Sequence, residues 1–178
     1  GTQVDGKYII QGSTVFFEPR LPGLCDLSDG GLKPDLDYRV TLVGGSIYER
    51  GKDGKRYNTT LIYDPRGKVI GKYRKVHIPG HEAHEPWRAF QHLERYYFEA
   101  SDEGFGVWRA FGGLVGMMIC NDRRWPETYR VMGLQGVEMI LCGYNTPINY
   151  APDPSQDILQ GFHNALVMQA GAYQNGSW

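Results

Sequence analysis

The most informative part of the sequence is GMMICNDRRWPE (Gly116–Glu127), where an apolar run ends at a cysteine that is followed by two arginines. Leu114–Ile119 predicts a short buried strand. Pro126 predicts the start of a helix, since proline suits the first helical position and the following acid suits the first turn. Cys120 is therefore expected at a strand-to-helix junction. Helix N-terminal amides and nearby cations both favour a thiolate, so Cys120 is a candidate nucleophile.

Arg123 and Arg124 place two cations just before a predicted helix N-terminus, where they oppose the helix dipole and each other. An anion is expected beside them, and a carboxylate held by a guanidinium is the simplest one. The other interpretation is that Cys120 is a buried core cysteine and that the arginines form a solvated corner with Asp122 and Glu127. The stretch alone leaves both interpretations open.

Composition bounds the class of protein. With 178 residues, 41% hydrophobic and 13% aromatic, the chain can bury one core, so residues 1–178 are expected to form a single domain. A net charge of -1 gives no footprint for nucleic acid, and no apolar run reaches membrane-spanning length, so neither partner is expected. Three widely spaced cysteines form no disulfide framework, which favours a reducing, cytoplasmic location.

The two ends of the sequence suggest a longer protein. The N-terminus lacks the charged and apolar regions of a signal peptide, and the chain opens at Gly1 without a methionine. It stops at Trp178, immediately after a predicted helix. We therefore expect a single domain that is incomplete at both ends.

A hairpin is predicted in the first half of the chain, and no element is assigned within residues 1–36. Arg39–Gly45 predicts a strand that enters a glycine-limited bend. Asn58–Tyr63 and Lys68–Ile78 predict two antiparallel strands joined by the turn Asp64–Gly67.

Lys75 shares a face of the second hairpin strand with Val69 and Tyr73, because side chains two apart point the same way. An inward lysine is costly unless it is paired or used. The alternative is the frayed, solvated end of a basic hairpin, because lysines are rarely fully buried. Both remain open from these residues.

The second half predicts a layered α/β fold. After a loop-rich stretch from Pro79 to Asp102, Val137–Cys142 predicts a second apolar strand. Strand, helix and strand in this order favour a parallel crossover. Gly143–Pro147 follows the strand end, where open α/β sheets bind ligands. Ser155 is the predicted N-cap of a helix that runs to about Tyr173.

Several motifs resemble the nitrilase superfamily. They are GKYRKVHIP (Gly71–Pro79) and CNDRRWPE (Cys120–Glu127), and the likeness extends over Leu42–Trp178. Within the superfamily, FQHLE (Phe90–Glu94), GYNTP (Gly143–Pro147) and MQAGAYQNG (Met168–Gly176) resemble the N-carbamoyl-D-amino-acid amidohydrolases. The resemblance implies a fragment of an α-β-β-α sandwich with mixed sheets flanked by helices. It also implies a cofactor-free hydrolase acting on non-peptide carbon-nitrogen bonds, and a homo-oligomer in the full-length protein.

The resemblance also implies roles for single residues. Cys120 would be the nucleophile, Lys75 the cation that stabilises the oxyanion, and Glu94 a second acid near them. The supporting and substrate-binding residues would be His77, His92, Asn121, Arg123, Arg124, Asn145 and Thr146. The implied reaction removes the carbamoyl group of an N-carbamoyl-D-amino acid and releases the amino acid, ammonia and carbon dioxide.

One motif of the family is missing. Its general-base glutamate lies in a Phe-Pro-Glu type of motif upstream of the hairpin, which Glu18 in Phe17-Glu18-Pro19 matches only superficially. We therefore expect a fragment that lacks the first strand-helix unit and the C-terminal strands. A catalytically inactive fragment is one alternative to the enzyme.

Other functions compete with this one. A zinc hydrolase would use the histidines and Cys142, but their spacing fits no compact ligand motif and no metal is expected. Cys142 is also a weaker candidate nucleophile, because it ends an apolar strand without a nearby cation. A non-catalytic binding domain, a β-ureidopropionase and an aliphatic amidase remain further alternatives. The histidines meant here are His77, His81, His84 and His92.

Overall fold

The computed structural model describes residues 5–11, 14–20 and 42–178. The chain divides into two compact units, Gly1–Arg39 and Val40–Trp178, which we treat separately. In the first unit, β1 (Asp5–Gln11) and β2 (Thr14–Arg20) form an antiparallel hairpin. The sequence predicted no element there. Arg39–Thr41, the start of one predicted strand, and Cys25 lie outside the described residues.

The second unit begins with a three-stranded antiparallel sheet in the order β3 (Leu42–Arg50), β4 (Arg56–Tyr63) and β5 (Val69–Arg74). The predicted hairpin is confirmed, and the Asp64 carboxylate accepts the amides of Arg66 and Lys68 in its turn. The predicted bend at Gly45 is wrong. β3 continues to Arg50 through an irregularity after Gly45, where a missing side chain allows the backbone to approach Thr60.

β5 is shorter than predicted, because it ends at Arg74 and not at Ile78. Lys75 still donates its amide to the carbonyl of Asn58 at 2.8 Å. Two residues later the amide of His77 donates to the Asp122 carboxylate, at 2.9 Å, instead of to β4. A side chain from the turn that follows Ile119 therefore ends the ladder.

The second sheet contains β6 (Val107–Ala110), β7 (Gly113–Ile119) and β8 (Met139–Gly143). β6 and β7 form an antiparallel hairpin, while β7 and β8 are parallel. α2 (Pro126–Leu134) connects the parallel pair. The predicted strand, proline-initiated helix and parallel crossover are confirmed.

The described part of the second unit contains two further helices. α1 (Glu94–Tyr97) is a single turn within the loop-rich stretch, and α3 (Asp157–Asn175) is the predicted long helix. Ser155 is not its N-cap. It lies in a 3-10 turn, where the Asp153 carboxylate accepts both its amide and its hydroxyl. Ser155 therefore donates to Asp153 and does not cap α3.

The core lies between the two sheets. Ile62 and Tyr73 from the first sheet pack with Val115, Met117 and Ile119 from the second, and all five are almost fully buried. On the outer side of the second sheet, Met132 of α2 packs against Gly116 of β7. Tyr129 of α2 packs against Gly171 of α3. Two packed sheets flanked by helices confirm the predicted α/β class. Within the described residues, no helix is long and apolar enough to cross a membrane.

Candidate active site

Cys120 lies where β7 ends. It is the first residue of a 3-10 turn (Cys120–Arg124) that leads through Trp125 into α2. Its φ of 66° is in the left-handed region, which costs a residue with a Cβ about 1–2 kcal/mol. Such strain is typical of functional positions. The predicted strand-to-helix junction is confirmed, with a 3-10 turn inserted.

Lys75 points into the protein and is only 1% exposed. Its ammonium donates to Glu94 Oε1 at 2.6 Å, and the Glu94 side chain is 13% exposed. The alternation along β5 continues to Lys75, so it lies on the buried face with Tyr73. The interpretation as a solvated hairpin end is therefore wrong, because the carboxylate of Glu94 compensates the buried charge.

Asn58 is a site residue that the sequence did not predict. Its amide donates to Glu94 Oε1 at 3.0 Å, its side-chain oxygen accepts from Ser46, and its carbonyl accepts the Lys75 amide. His92 Nε2 lies 3.3 Å from the other oxygen of Glu94. Glu94 is thus held from three sides. The only signal in the sequence is a buried-type strand that contains an asparagine, a residue that strands disfavour.

These residues face a cavity of about 380 Å³, which we call the Cys120 cavity. Five predicted site residues therefore come together: Cys120, Lys75, Glu94, His92 and Asn145. The cavity is completed by Gly45, Ser46, Asn58, Ile119, Gly143 and Tyr144. A thiol as candidate nucleophile, a cation and a carboxylate around one small cavity would suit attack on a polar carbonyl compound.

The other predicted residues lie elsewhere around the same turn. Arg123 and Arg124 line a separate cavity of about 330 Å³ with residues of α3, which we call the arginine cavity. Asn121 and His77 line a third one of about 710 Å³, and the Asn121 side chain donates to the His77 carbonyl. Thr146 is joined to this set through Arg123. The side chains of the arginine pair therefore do not line the Cys120 cavity.

Asp122 is a fully buried hub between the two sheets. Its carboxylate accepts from the Tyr73 hydroxyl at 2.6 Å, the His77 amide at 2.9 Å and the Ile119 amide at 2.9 Å. Burial and the adjacent Asp122 charge raise the pKa of the Tyr73 hydroxyl. Asp122 thus links the strand that leads to Lys75 with the strand that leads to Cys120.

His77, which the resemblance implied as a supporting residue, contacts Asp122 and two aromatic rings. Its Nδ1 lies 3.0 Å from Asp122 Oδ1. Its ring stacks between Phe105, at 5.7 Å, and Trp125, at 5.1 Å between centroids. The histidine therefore holds Asp122 from outside the Cys120 cavity.

Arg123 is buried rather than solvated. It donates to Asn164 Oδ1 at 2.8 Å, to Thr146 Oγ1 at 2.7 Å and to the carbonyl of Cys120. Its side chain is 2% exposed, whereas Arg124 is exposed. The interpretation of a solvated arginine corner is wrong for Arg123 and agrees with the exposure of Arg124.

The alternative sites find little support in the geometry. Burial raises the pKa of the Cys142 thiol to about 11, which disfavours the nucleophilic thiolate. In the described part of the chain, no three His, Cys, Asp or Glu side chains are grouped so that they could hold a metal ion. The histidines considered for zinc are therefore not gathered around Cys142.

Comparison with known proteins identifies the family of the chain. Residues 37–178 match the family described as "Carbon-nitrogen hydrolase". The chain is 38% identical over 140 residues to the citrullinase of Francisella tularensis, covering 78% of this chain and 44% of the relative. It is 34% identical over 128 residues to the N-carbamoylputrescine amidase of Solanum lycopersicum, covering 71% and 39%.

Solved structures show the same fold. The carbon-nitrogen hydrolase from Helicobacter pylori G27 superimposes with a TM-score of 0.66 at 25% identity, covering 78% of this chain and 44% of that one. An amidase from Nesterenkonia sp. superimposes with a TM-score of 0.59 at 20% identity, covering 78% and 44%. The chain belongs to the carbon-nitrogen hydrolase family, which confirms the resemblance to the nitrilase superfamily. It spans less than half the length of these relatives.

Proposed function

We propose that this chain carries the nucleophile and the oxyanion site of an enzyme that hydrolyses N-carbamoyl-D-amino acids to the amino acid, ammonia and carbon dioxide. The observation that carries the proposal is the buried pair of Lys75 and Glu94, which lines the same cavity as the strained Cys120. The cytoplasmic location, the homo-oligomer and the single domain remain predictions from the sequence.

In the proposed reaction, the sulfur of Cys120 attacks the carbamoyl carbon, and the carbonyl oxygen takes the negative charge. The ammonium of Lys75 and the backbone amide of Asn121 stabilise that oxyanion. The carbon-nitrogen bond to the terminal amino group then breaks, and ammonia leaves with a proton. Water attacks the thioester-like intermediate, frees Cys120, and releases a carbamate that decomposes to the amino acid and carbon dioxide.

Proton transfers need a carboxylate beside the reacting atoms. Among the described residues, Glu94 is the acid that lines the Cys120 cavity, and it also orients Lys75. The family resemblance implies a second glutamate as the general base, upstream of the hairpin. The proposal therefore concerns the protein with the complete domain of the relatives' length.

For the substrate carboxylate, we propose Arg124 as the charged contact and Asn145 and Thr146 as its polar neighbours. Each guanidinium nitrogen of Arg123 already donates to a protein group, namely Asn164, Thr146 or the Cys120 carbonyl. We therefore assign Arg123 to holding these groups in place and not to binding the substrate. Because Arg123 is already engaged by protein groups, a second candidate substrate is an N-carbamoyl amine. An N-carbamoyl amine has no carboxylate to bind, and N-carbamoylputrescine amidases are among the relatives.

Substrate turnover distinguishes the two candidates. The complete enzyme is assayed for ammonia release from N-carbamoyl-D-amino acids, their L-enantiomers and N-carbamoyl amines. We expect kcat/KM for the D-amino acid derivatives to be at least about tenfold higher, because an ion pair to the carboxylate adds about 1.4 kcal/mol or more. A preference for the amines would overturn the substrate assignment and keep the reaction type.

Replacing the proposed nucleophile tests the chemistry directly. Cys120→Ala should abolish turnover and change the unfolding temperature little, because the substitution removes one sulfur atom from a half-buried side chain that lines a cavity. Cys142→Ala is the matched control, since this half-buried thiol lies at the end of β8 with a raised pKa. It should retain activity. Near-normal activity of the Cys120→Ala enzyme would remove the thiol from the mechanism.

A further inference from the structure

Asn164 lies outside every motif of the proposed site and still connects two parts of it. It is a half-buried residue of α3 beside the arginine cavity. Its side-chain oxygen accepts from Arg123 Nε at 2.8 Å, and its amide nitrogen donates to the Tyr144 hydroxyl at 3.1 Å. A guanidinium has donors only, so the amide oxygen must face Arg123 and the nitrogen must face Tyr144.

Arg123 extends this contact to the loop after β8. From the same guanidinium, Nη2 donates to Thr146 Oγ1 at 2.7 Å, and Nη1 donates to the carbonyl of Cys120. The Arg123 side chain that carries these donors is only 2% exposed. The orientation of Arg123 is therefore fixed by three acceptors: Asn164, the carbonyl of Cys120, and Thr146 in the loop after β8.

Tyr144 is held twice by the same unit. Its hydroxyl accepts from Asn164, and its ring lies under the Arg123 guanidinium with 4.5 Å between Cζ and the ring centroid. Tyr144 and Asn145 line the Cys120 cavity. The loop Gly143–Thr146 is thus connected to α3 at one end through Tyr144 and at the other through Arg123 and Thr146.

We infer that Asn164 is a positioning residue that fixes the loop Gly143–Thr146 against the Cys120 cavity and thereby sets how well substrate binds. It acts through Arg123 and Tyr144, and it does not touch the reacting atoms. The kinetic part of the inference rests on the proposed function, whereas the loop itself can be observed without turnover.

The test compares two substitutions at one position in the complete enzyme. Asn164→Leu keeps the approximate size and removes both polar contacts. Asn164→Asp keeps them, because a carboxylate accepts from Arg123 and from the Tyr144 hydroxyl. Gln169→Leu is the matched control, an amide-to-leucine change at an exposed position of the same helix.

We expect Asn164→Leu to raise KM about tenfold and to change kcat less than about threefold, as for a lost charge-assisted contact that orders a binding loop. Amide hydrogen exchange in residues 143–146 should accelerate about tenfold while β7 and β8 keep their protection. Asn164→Asp should restore both values to within about twofold of the wild type, and Gln169→Leu should match the wild type.

The outcomes separate the inference from the proposed function. A wild-type enzyme that turns over no N-carbamoyl substrate sinks the proposed function, and loop exchange still decides the role of Asn164. Unchanged exchange in residues 143–146, or a fall in the unfolding temperature with equal effects of Asn164→Leu and Asn164→Asp, overturns the inference.

Discussion

Lys75 is buried although lysine rarely is, and its partner explains why. The pair with Glu94 joins two opposite charges at 2.6 Å, and Asn58 shares the same carboxylate oxygen. Two buried charges compensate each other only when the geometry is good and the remaining hydrogen bonds are made. The Cys120 cavity therefore holds a fixed ammonium, which is what the oxyanion of the proposed reaction requires.

Lys75→Met should lower kcat by about two orders of magnitude or more, because one preorganised oxyanion donor is commonly worth about 3–4 kcal/mol. It should also lower stability by about 3–5 kcal/mol, since the largely buried Glu94 carboxylate loses its ammonium partner and keeps only Asn58 and His92. Lys72→Met is the matched control on the opposite face of β5, where Lys72 makes partly exposed ion pairs. Steady-state kinetics and urea unfolding of both variants measure these effects. Equal kinetics for the two variants would contradict the role of Lys75.

Asp122→Asn should destabilise the protein by about 2–4 kcal/mol, because a buried acceptor of several donors is replaced by a group that itself donates on one side. The asparagine keeps one acceptor oxygen, so one set of donors loses its partner: the Tyr73 hydroxyl and the Ile119 amide at Oδ2, or the His77 amide and ring at Oδ1. Urea unfolding of Asp122→Asn, Tyr73→Phe and the double variant gives the coupling energy. Purely additive effects would show that the Tyr73 contact does not stabilise the fold.

Single residues were predictable where chemistry is local. The strand-to-helix junction at Cys120 was predicted from the apolar run before it and from Pro126, all within a few positions. The burial of Lys75 was not predictable from its own strand, because Glu94 and Asn58 are 36 residues apart and meet only in the fold. The same holds for Arg123, whose acceptor Asn164 is 41 residues away.

At the level of elements, strong local signals were reliable. The apolar run of β7 and the proline of α2 gave the correct strand and helix, and the turn at Asp64 gave the correct hairpin. Errors arose where another part of the chain decides the end of an element. The Asp122 carboxylate ends β5, and the Asp153 carboxylate displaces Ser155 from the cap.

The packing of α2 against α3 depends on a close approach at Gly171. A Cβ built there would lie 2.5 Å from Tyr129 Cδ1, so the helices would have to separate. Gly171→Ala should therefore destabilise the protein by about 1–3 kcal/mol through overpacking. Gly161→Ala on the same helix meets open space and should stabilise it by about 0.5–1 kcal/mol, since alanine is the better helix former. Thermal unfolding measures both, and the same sign for both would contradict this packing.

For the second unit as a whole, the core between the sheets and the charges at its edge have different roles. The apolar cluster around Ile62 and Met117 holds the two sheets together at any pH. On the outer side, Glu49 on β3 receives hydrogen bonds from Thr59 on β4 and from Arg74 on β5. This network joins all three strands of the first sheet through one carboxylate.

The stability of the protein should consequently fall in acid. The hydrogen bonds from Arg74 lower the pKa of Glu49 from its ordinary value of 4.5 to about 2. Because the folded-state pKa is the lower one, the stabilisation is fully present above about pH 4.5 and is lost as the pH falls toward 2. It amounts to about 1–2 kcal/mol after allowance for partial exposure.

Urea unfolding at a series of values from about pH 6 to about pH 2.5 measures this dependence. Glu49→Gln should reduce the loss of stability in this range, because the neutral amide has no proton to gain. Arg74→Met should do the same by removing the main cause of the lowered pKa, whereas Arg109→Met, at an exposed position of β6, should retain the wild-type dependence. If Glu49→Gln and the wild type lost stability equally, another group would have to hold the first sheet together in acid.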